Sequence, residues 1–337
     1  MAHPPEGFQA LRAIDNVPAF SAHFDLLTTA EATTKRRVMS LPLYSRWRSM
    51  LAPRTCFIGT TVSEYALFPD EITPLDLLRK IKNAYASHYP IVIVKDIPQR
   101  SPLLDAAASD YARQLLVACD AERFVVLEGQ ALAYVPLTFD SVEQYLAKFS
   151  RSRRKDIQRK LRAGSAVELS IASTGAKEFR DTEFLAELYS LYANVYERSD
   201  LHFDQLSSDF LRSILQDAHS GGRVFLYRLQ GRLIGFNLCY VQSNFLVDKY
   251  VGFLYPQARH VGLYSRSWIE NVRYALEQGL THYVVGWTDP QVKRDLGASF
   301  TFTRHAVYVR NRLLRALLRR VAGRFESDRI WHEHNAA

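Results

Sequence analysis

Residues 223–253 read RVFLYRLQGRLIGFNLCYVQSNFLVDKYVGF, and the fold turns on them. β-branched and aromatic residues gather in three runs: Arg223 to Leu229, Arg232 to Gln242 and Asn244 to Phe253. The breaks fall at Gln230-Gly231 and around Ser243, residue types that tolerate tight turns. Three strands in an antiparallel meander are the simplest chain path through that pattern. Downstream, Leu263 to Gln278 keeps helical spacing of apolar residues and is closed by Gly279. Strand patterns follow at Thr281 to Trp287 and Arg304 to Arg310. Upstream, helix patterns run from about Asp181 to Arg198 and from Ser207 to His219, with Gly221-Gly222 as the stop. Two helices, a meander, a helix and a final strand pair make an α+β arrangement.

The first half also alternates, and no short-period repeat is visible in it. Cys56 to Phe68 reads as extended. Thr73-Pro74 with Asp76 opens a helix on which Leu75, Leu78, Ile81 and Tyr85 share a face. Ile91 to Lys95 (IVIVK) reads as a buried strand. Ser101-Pro102 is expected to cap the next helix. Arg123 to Leu127 and Ala131 to Val135 are expected to form a hairpin around Glu128-Gly129-Gln130. Ser141 with Gln144 makes a capping box for one helix that continues through FSRSRRKDIQRKLR to Gly164.

Composition narrows the function. The set AVILMFWYC makes up 47% of the 337 residues and charged residues 23%, enough apolar material to exclude global disorder. Cys56, Cys119 and Cys239 are few, far apart and set among apolar neighbours, so they read as reduced core thiols of a cytoplasmic chain. The longest uncharged stretch, Leu233 to Val247, contains Asn237, Gln242, Ser243 and Asn244, and no segment is apolar enough to span a bilayer. Met1 to Gln9 has no apolar core of the signal-peptide kind. No histidine falls in a metal-ligand pattern, no Gly-x-Ser-x-Gly elbow or P-loop is present, and Cys239 reads as core rather than nucleophile.

The formal net charge of +8 is concentrated in two stripes. Residues 151–162 carry +6, and residues 296–325 carry +7 with no acidic residue. The rest of the chain is therefore near −5. Arg151, Arg154 or Lys155, Arg159 and Arg162 recur at helical steps and predict one cationic helix face. NRLLRALLRRVAGRF has the profile of a basic amphipathic helix, whose leucine face either packs onto the domain or lies at a membrane surface.

Four stretches resemble the GNAT acyltransferase superfamily, specifically its Fem-like and acetyltransferase-6 branch. They are YLAKFSRSRRKDIQRKLRAG, YVGFLYPQARHVGLYSRSWIENVRYALEQG, THYVVGW and VKRDLGASF, the last similar to an aromatic–Lys–x–x–x–Gly motif with Val292 in the aromatic position. The likeness covers residues 141–312 directly and 1–140 by analogy. It implies two GNAT-like domains of mixed, mainly antiparallel central sheets flanked by helices. The expected parts are a degenerate first domain at 1–140, a basic linking helix at 141–164, a catalytic domain at 165–312 and a basic amphipathic helix and tail at 313–337.

Candidate site residues follow. Arg259-His260-Val261-Gly262-Leu263-Tyr264 is similar to the loop that binds the pyrophosphate of coenzyme A in the superfamily. Its backbone N–H groups and the following helix N-terminus would face phosphate oxygens. Arg259, Gly262, Leu263 and Tyr264 are therefore the candidate donor-binding residues, although Tyr264 stands where a small residue is usual. A plain strand-to-helix turn at Gly262 is the alternative. The resemblance places Lys293 near the acyl donor, where a fixed cation would stabilise an oxyanion. Trp287, Asp289 and Pro290 frame this segment as a loop, and a surface Lys-Arg pair is the competing reading. By the two-residue strand period Asp248 and Tyr250 share a face with Leu246 and Gly252. A carboxylate there could orient or deprotonate an amine, and a tyrosine could return a proton to the leaving group.

The expected activity is N-acyl transfer, in cell-envelope or specialised-metabolite biosynthesis. The acyl group would pass from acyl-CoA or a related thioester, used as a co-substrate with no bound cofactor, to an amine or hydroxyl. The alternatives are a Fem-type transferase using aminoacyl-tRNA and a non-catalytic module binding an anionic ligand or membrane. A cytoplasmic location is expected, with attachment to the inner face of the membrane through the C-terminal helix left open.

Overall fold

The computed structural model describes residues 3–27, 36–37, 39–199, 203–287 and 289–325. The end of the tail expected at 313–337 lies outside the described residues. Contacts divide the chain into two units. His3–Ala131 groups with the residues from Thr301 onward, and Leu132–Phe300 forms the other unit. The last strand and the helix after it thus belong with the N-terminal residues rather than with the segment that precedes them.

In the first unit β1 (Gln9–Ile14), β2 (Val17–His23) and β3 (Arg54–Ile58) form an antiparallel meander. Helix α1 (Pro74–Tyr85) carries the chain over to β4 (Ile91–Pro98), which pairs parallel to β3. A parallel pair cannot be closed by a tight turn, so a crossover of this kind is required. The start of α1 follows its sequence: Thr73 Oγ1 accepts the Asp76 N–H at 3.2 Å, and Pro74 takes the first helical position. Leu77, Leu78, Ile81 and Tyr85 form its buried face.

Helix α2 (Ala106–Ala121) starts later than Ser101-Pro102 suggests. Asp105 caps it by accepting the Ala108 N–H at 2.7 Å, while the Ser101 hydroxyl accepts from Tyr65 at 2.9 Å. The hairpin expected around Gly129 is a single strand, β5 (Val125–Pro136). Glycine there answers a different need. A Cβ on Gly129 would run into the Thr303 side chain and sit 3.1 Å from His305 Nε2, so it marks a close approach and not a turn.

The second unit opens with α3 (Val142–Ala147) and α4 (Arg151–Ala163). The single helix expected over 141–164 is broken at Lys148–Ser150, because Ser150 acts as a new N-cap and accepts the Arg153 N–H at 3.4 Å. Next come β6 (Val167–Ser173), α5 (Thr182–Tyr196) and α6 (Ser208–Gln216). The meander read from the sequence is present as β7 (Gly222–Leu229), β8 (Arg232–Gln242) and β9 (Phe245–Phe253). A short α7 (Gln257–His260) and the long α8 (Leu263–Glu277) cross over to β10 (His282–Gly286), parallel to β9. Then α9 (Pro290–Asp295) leads to β11 (Ser299–Val309), followed by α10 (Arg312–Val321).

The sheet order is β1-β2-β3-β4-β11 in the first unit and β5-β10-β9-β8-β7-β6 in the second. Both therefore use one plan: an antiparallel meander, a parallel step across a helical crossover, and an antiparallel last strand. In the second unit the sheet is packed on both faces. Phe225, Tyr227, Cys239, Leu246 and Phe253 share a core with Trp268, Ile269 and Val272 of α8. Val224, Leu226, Phe236 and Leu238 share another with Leu188 and Leu191 of α5 and Leu211 and Leu215 of α6.

Candidate active site

The site lies where β9 and β10 part. Their parallel pairing covers Phe245, Leu246 and Val247 against His282, Tyr283 and Val284. Beyond that point β9 continues to Phe253 on β8, while Gly286 of β10 pairs with Ala133 of β5. Asp248 is the first residue past the paired segment.

A β-bulge occupies the same place. Leu238 faces Tyr250 and Cys239 faces Asp248, so Lys249 is the extra residue on β9. One inserted residue resets the alternation of side chains. Asp248 consequently points with Leu246 toward the α8 core, whereas Tyr250 and Gly252 point toward α5 and α6. The shared face expected for Asp248 and Tyr250 is not formed. Tyr250 instead meets the Phe210 ring edge-on, with centroids 6.3 Å apart.

Four side chains converge on the Asp248 carboxylate. Oδ2 accepts from Asn237 Nδ2 at 3.0 Å, Asn271 Nδ2 at 3.1 Å and the Tyr283 hydroxyl at 2.9 Å. Oδ1 accepts from Asn237 Nδ2 at 3.2 Å and the Cys239 thiol at 3.7 Å, and is the less occupied oxygen. Asn271 Nδ2 also donates to Tyr283 at 2.9 Å, which ties β8, β9, α8 and β10 into one polar knot. Burial raises the Asp248 carboxyl above its ordinary range, against the lowering effect of the Asn237 and Tyr283 hydrogen bonds and the Lys293 charge. Sequence reasoning singled out Asp248 but missed Asn237, Asn271 and Tyr283. The available signal was a polar residue inside an apolar strand, IGFNLCY, and another on the apolar face of a helix, WIENV.

Lys293 is not a surface residue. It lies on α9 rather than in a loop, and only 4% of it is exposed. Its ammonium lies 3.9 Å from where a Gly286 Cβ would stand, at the mouth of the strand fork. The Lys-x-x-x-Gly spacing has a packing cause. Gly297 ends α9 with φ of +84°, and a Cβ there would stand 2.8 Å from Phe149 Cζ and 3.2 Å from the Tyr145 hydroxyl. Tyr145 donates to the Leu296 carbonyl and accepts from Trp268 Nε1 at 2.9 Å, so α3 and α8 both hold α9 in place. Arg153 of α4 adds an ion pair with Asp295.

The loop before α8 is built tightly. Gly262 adopts φ of +60° at the N-cap, and a Cβ there would meet Lys160 Cβ at 2.9 Å. The N–H groups of Val261 and Gly262 donate to Gln257 and Arg259 carbonyls at 3.2 and 3.1 Å. Packing against α4 thus accounts for this glycine without a phosphate. Leu263 is fully buried and belongs to the core. Tyr264 packs near Phe253 and Trp268, and burial pushes its hydroxyl up, with the Asp248 and Asp289 charges adding to the shift. Arg259 is exposed, 5.3 Å from the Tyr255 ring, and Arg198 stacks on the same ring at 4.6 Å. Of the seven sequence candidates, Asp248, Tyr264 and Lys293 come together electrostatically around the fork. Tyr250 and Leu263 serve the cores, and Arg259 and Gly262 lie at the α7–α8 turn.

A buried lysine and a carboxylate thus stand where the parallel neighbour of the meander splays open. Residues 151–294 match the family model described as acetyltransferase (GNAT) domain, and this match supports an acyltransferase of GNAT-like fold. Among solved structures the chain is similar to the C-terminal domain of a putative lysylphosphatidylglycerol synthetase from Agrobacterium fabrum. The two share 12% identity at a TM-score of 0.55, over 95% of this chain and 89% of that one. It is also similar to L-PGS from Bacillus licheniformis (11%, 0.55, 94% and 90%). FemX is a third such structure (13%, 0.53, 93% and 91%). At these identities the likeness is one of fold, and it extends over both units, as a double GNAT-like architecture requires. No curated protein matches the sequence.

Proposed function

We propose that the chain moves an acyl group from an acyl thioester, acyl-CoA in the first instance, to an amine acceptor at the β9–β10 fork. The observation that carries this reading is the placement of Asp248 and the buried Lys293 together at that opening. The amine nitrogen attacks the thioester carbonyl carbon, and the N–C bond forms as the carbonyl oxygen becomes an oxyanion. The Lys293 ammonium offsets that charge. Asp248 Oδ1 takes the proton shed by the amine, for which a raised pKa is favourable. Collapse of the intermediate breaks the C–S bond and releases the thiolate, which takes up a proton. Asn237, Asn271 and Tyr283 position Asp248. Three buried unpaired thiols are in keeping with a cytoplasmic setting.

A second reading replaces the thioester by the ester of an aminoacyl-tRNA. It is favoured by the α7–α8 turn, where α4 packing explains Gly262, Tyr264 stands in place of a small residue, and Arg151 and Arg162 are exposed on α4. The name lysylphosphatidylglycerol synthetase denotes an aminoacylated product, which suits this donor class. Isothermal titration with acetyl-CoA and longer acyl-CoAs, beside filter binding of charged tRNA over a salt series, separates the two. Saturable acyl-CoA binding with thiol release on adding amines supports the first reading. Salt-sensitive tRNA binding without any acyl-CoA binding replaces it with the second.

A further inference from the structure

The reaction proposed above does not use the arginines of the second stripe, which give residues 296–325 a charge of +7. Arg312, Arg315, Arg319 and Arg320 of that stripe lie on α10, a helix with two unlike faces. Leu313, Leu314 and Leu317 are exposed on one of them. On the opposite face Arg312, Arg315 and Arg319 align at helical spacing with the small Ala316.

This arginine face forms one side of a recess of about 390 Å³, lined by Asp120, Arg123, Arg312, Arg315, Ala316 and Arg319, all within the first unit. Asp120 and Arg123 come from the C-terminal end of α2. Four guanidinium groups stand against one carboxylate, a net charge of +3. Arg319 engages Asp120 at 3.2 Å, on a side chain that is 91% exposed. Glu122, the next acid in the chain, is turned to Lys82 and Arg79 instead. Among the described residues no carboxylate pairs with Arg123, Arg312 or Arg315.

Two observations set these arginines apart from a solvated charge run. Arg315 is only 8% exposed; its Nη1 donates to the Val309 carbonyl at 2.9 Å, and its guanidinium lies 4.9 Å from the Tyr308 ring. A guanidinium is costly to bury without a counter-ion, so this one is held in the recess wall against its solvation. Arg123 occupies the left-handed position that ends α2, with φ of +64°. Its N–H donates to the Asp120 carbonyl at 3.0 Å and the Phe124 N–H to the Cys119 carbonyl at 2.9 Å, a helix end at which glycine is usual. The backbone therefore gives no reason for an arginine at 123. The C-terminal dipole of α2 attracts cations, but it acts over one turn and does not call for four.

We propose that this recess binds a diphosphate group. A phosphate carries about −1.5 to −2, so two of them offset the net +3 where a single carboxylate would not. Guanidinium groups pair with phosphate oxygens two at a time, and Ala316 adds no bulk between them. A polynucleotide fits less well: it needs a cationic track that runs past the recess, and the other face of α10 presents leucines.

The test is isothermal titration of the full chain at low salt with sodium pyrophosphate and with ADP. Saturable binding of either supports the proposal, and tighter binding of ADP identifies a nucleotide as the source of the diphosphate. Arg123→Gly, which suits the left-handed backbone, combined with Arg312→Ala at an exposed position, weakens binding about tenfold or more. Asp120→Asn removes the competing carboxylate and strengthens it. Circular dichroism checks that each variant is folded. The proposal is overturned if neither ligand binds, or if the Arg123→Gly, Arg312→Ala variant binds as well as wild type. It is equally overturned if Arg259→Ala alone abolishes binding, which places the anion at the α7–α8 turn, or if single-stranded RNA binds more tightly than both ligands with a steep loss in salt.

Discussion

Gly297→Ala tests whether α9, and with it Lys293, is set by packing. Two costs are separable in the structure. The first is the backbone: Gly297 has φ of +84°, where a side chain costs about 1 kcal/mol. The second is contact. The new Cβ would lie 2.8 and 3.1 Å from Phe149 ring carbons, well inside the optimum of roughly 3.5–4.0 Å, and forced overpacking of this kind costs about 1–3 kcal/mol. Together they predict a loss of about 2–4 kcal/mol. Gly231→Ala supplies the control, since Gly231 has φ of +78° in the same unit and nothing within 4 Å of its would-be Cβ. It should lose only about 1 kcal/mol. Equilibrium urea unfolding followed by tryptophan fluorescence, with Trp268 reporting from the core, reads both. Equal losses in the two variants would refute the reasoning, because the Phe149 contact would then contribute nothing. If the reasoning holds, Gly297→Ala also lowers acyl transfer while Gly231→Ala does not.

Further outcomes follow from the same geometry. Lys293→Met, which keeps the volume and removes the charge, should lower kcat by about a hundredfold or more with far less change in KM; unaltered turnover with an identified substrate pair removes the oxyanion role. If Asp248 is the proposed base, activity should fall on the acid side at a pH above the ordinary aspartate value of about 3.9, because that base must be ionised and burial raises its pKa. The same shift sets the stability trend: the protonated carboxyl binds its proton more tightly in the folded state, so this contribution is lost as pH rises through the folded value, and a pH series of urea melts reads it. Glu122 behaves oppositely: the hydrogen bond from Lys82, with that from Arg79, lowers its pKa, so its stabilising contribution is present at neutral pH and lost as pH falls through the folded value, an acid-side loss that Glu122→Gln should abolish. Burial pushes the Cys56 and Cys119 thiols up to about 12, so a thiol reagent should label them only after unfolding; rapid labelling of the native chain contradicts that placement.

Lys293 shows how far a motif carries. Its spacing to Gly297 was legible in VKRDLG, yet the segment read as a loop. Six residues are too few for periodicity to register, and the helix depends on Tyr145 and Phe149, about 150 positions earlier in the chain. Asp248 and Tyr250 teach the complementary lesson. Strand period correctly placed both on β9, but the bulge at Lys249 is created by pairing with β8, and no local pattern in NFLVDKYVGF announces it.

The sequence by itself determined the elements whose signals are local. The β7–β8–β9 meander, the cap at Thr73, the stop at Gly164 and the two arginine stripes rest on side-chain period, turn chemistry and charge within a few residues of one another. Tertiary structure decided what those elements face. The knot around Asp248 needs residues from β8, β9, α8 and β10. The orientation of α10 was open in the same way: a helix pattern states which side is apolar, and only the surface beneath it decides that Arg315 goes inward and the leucines out.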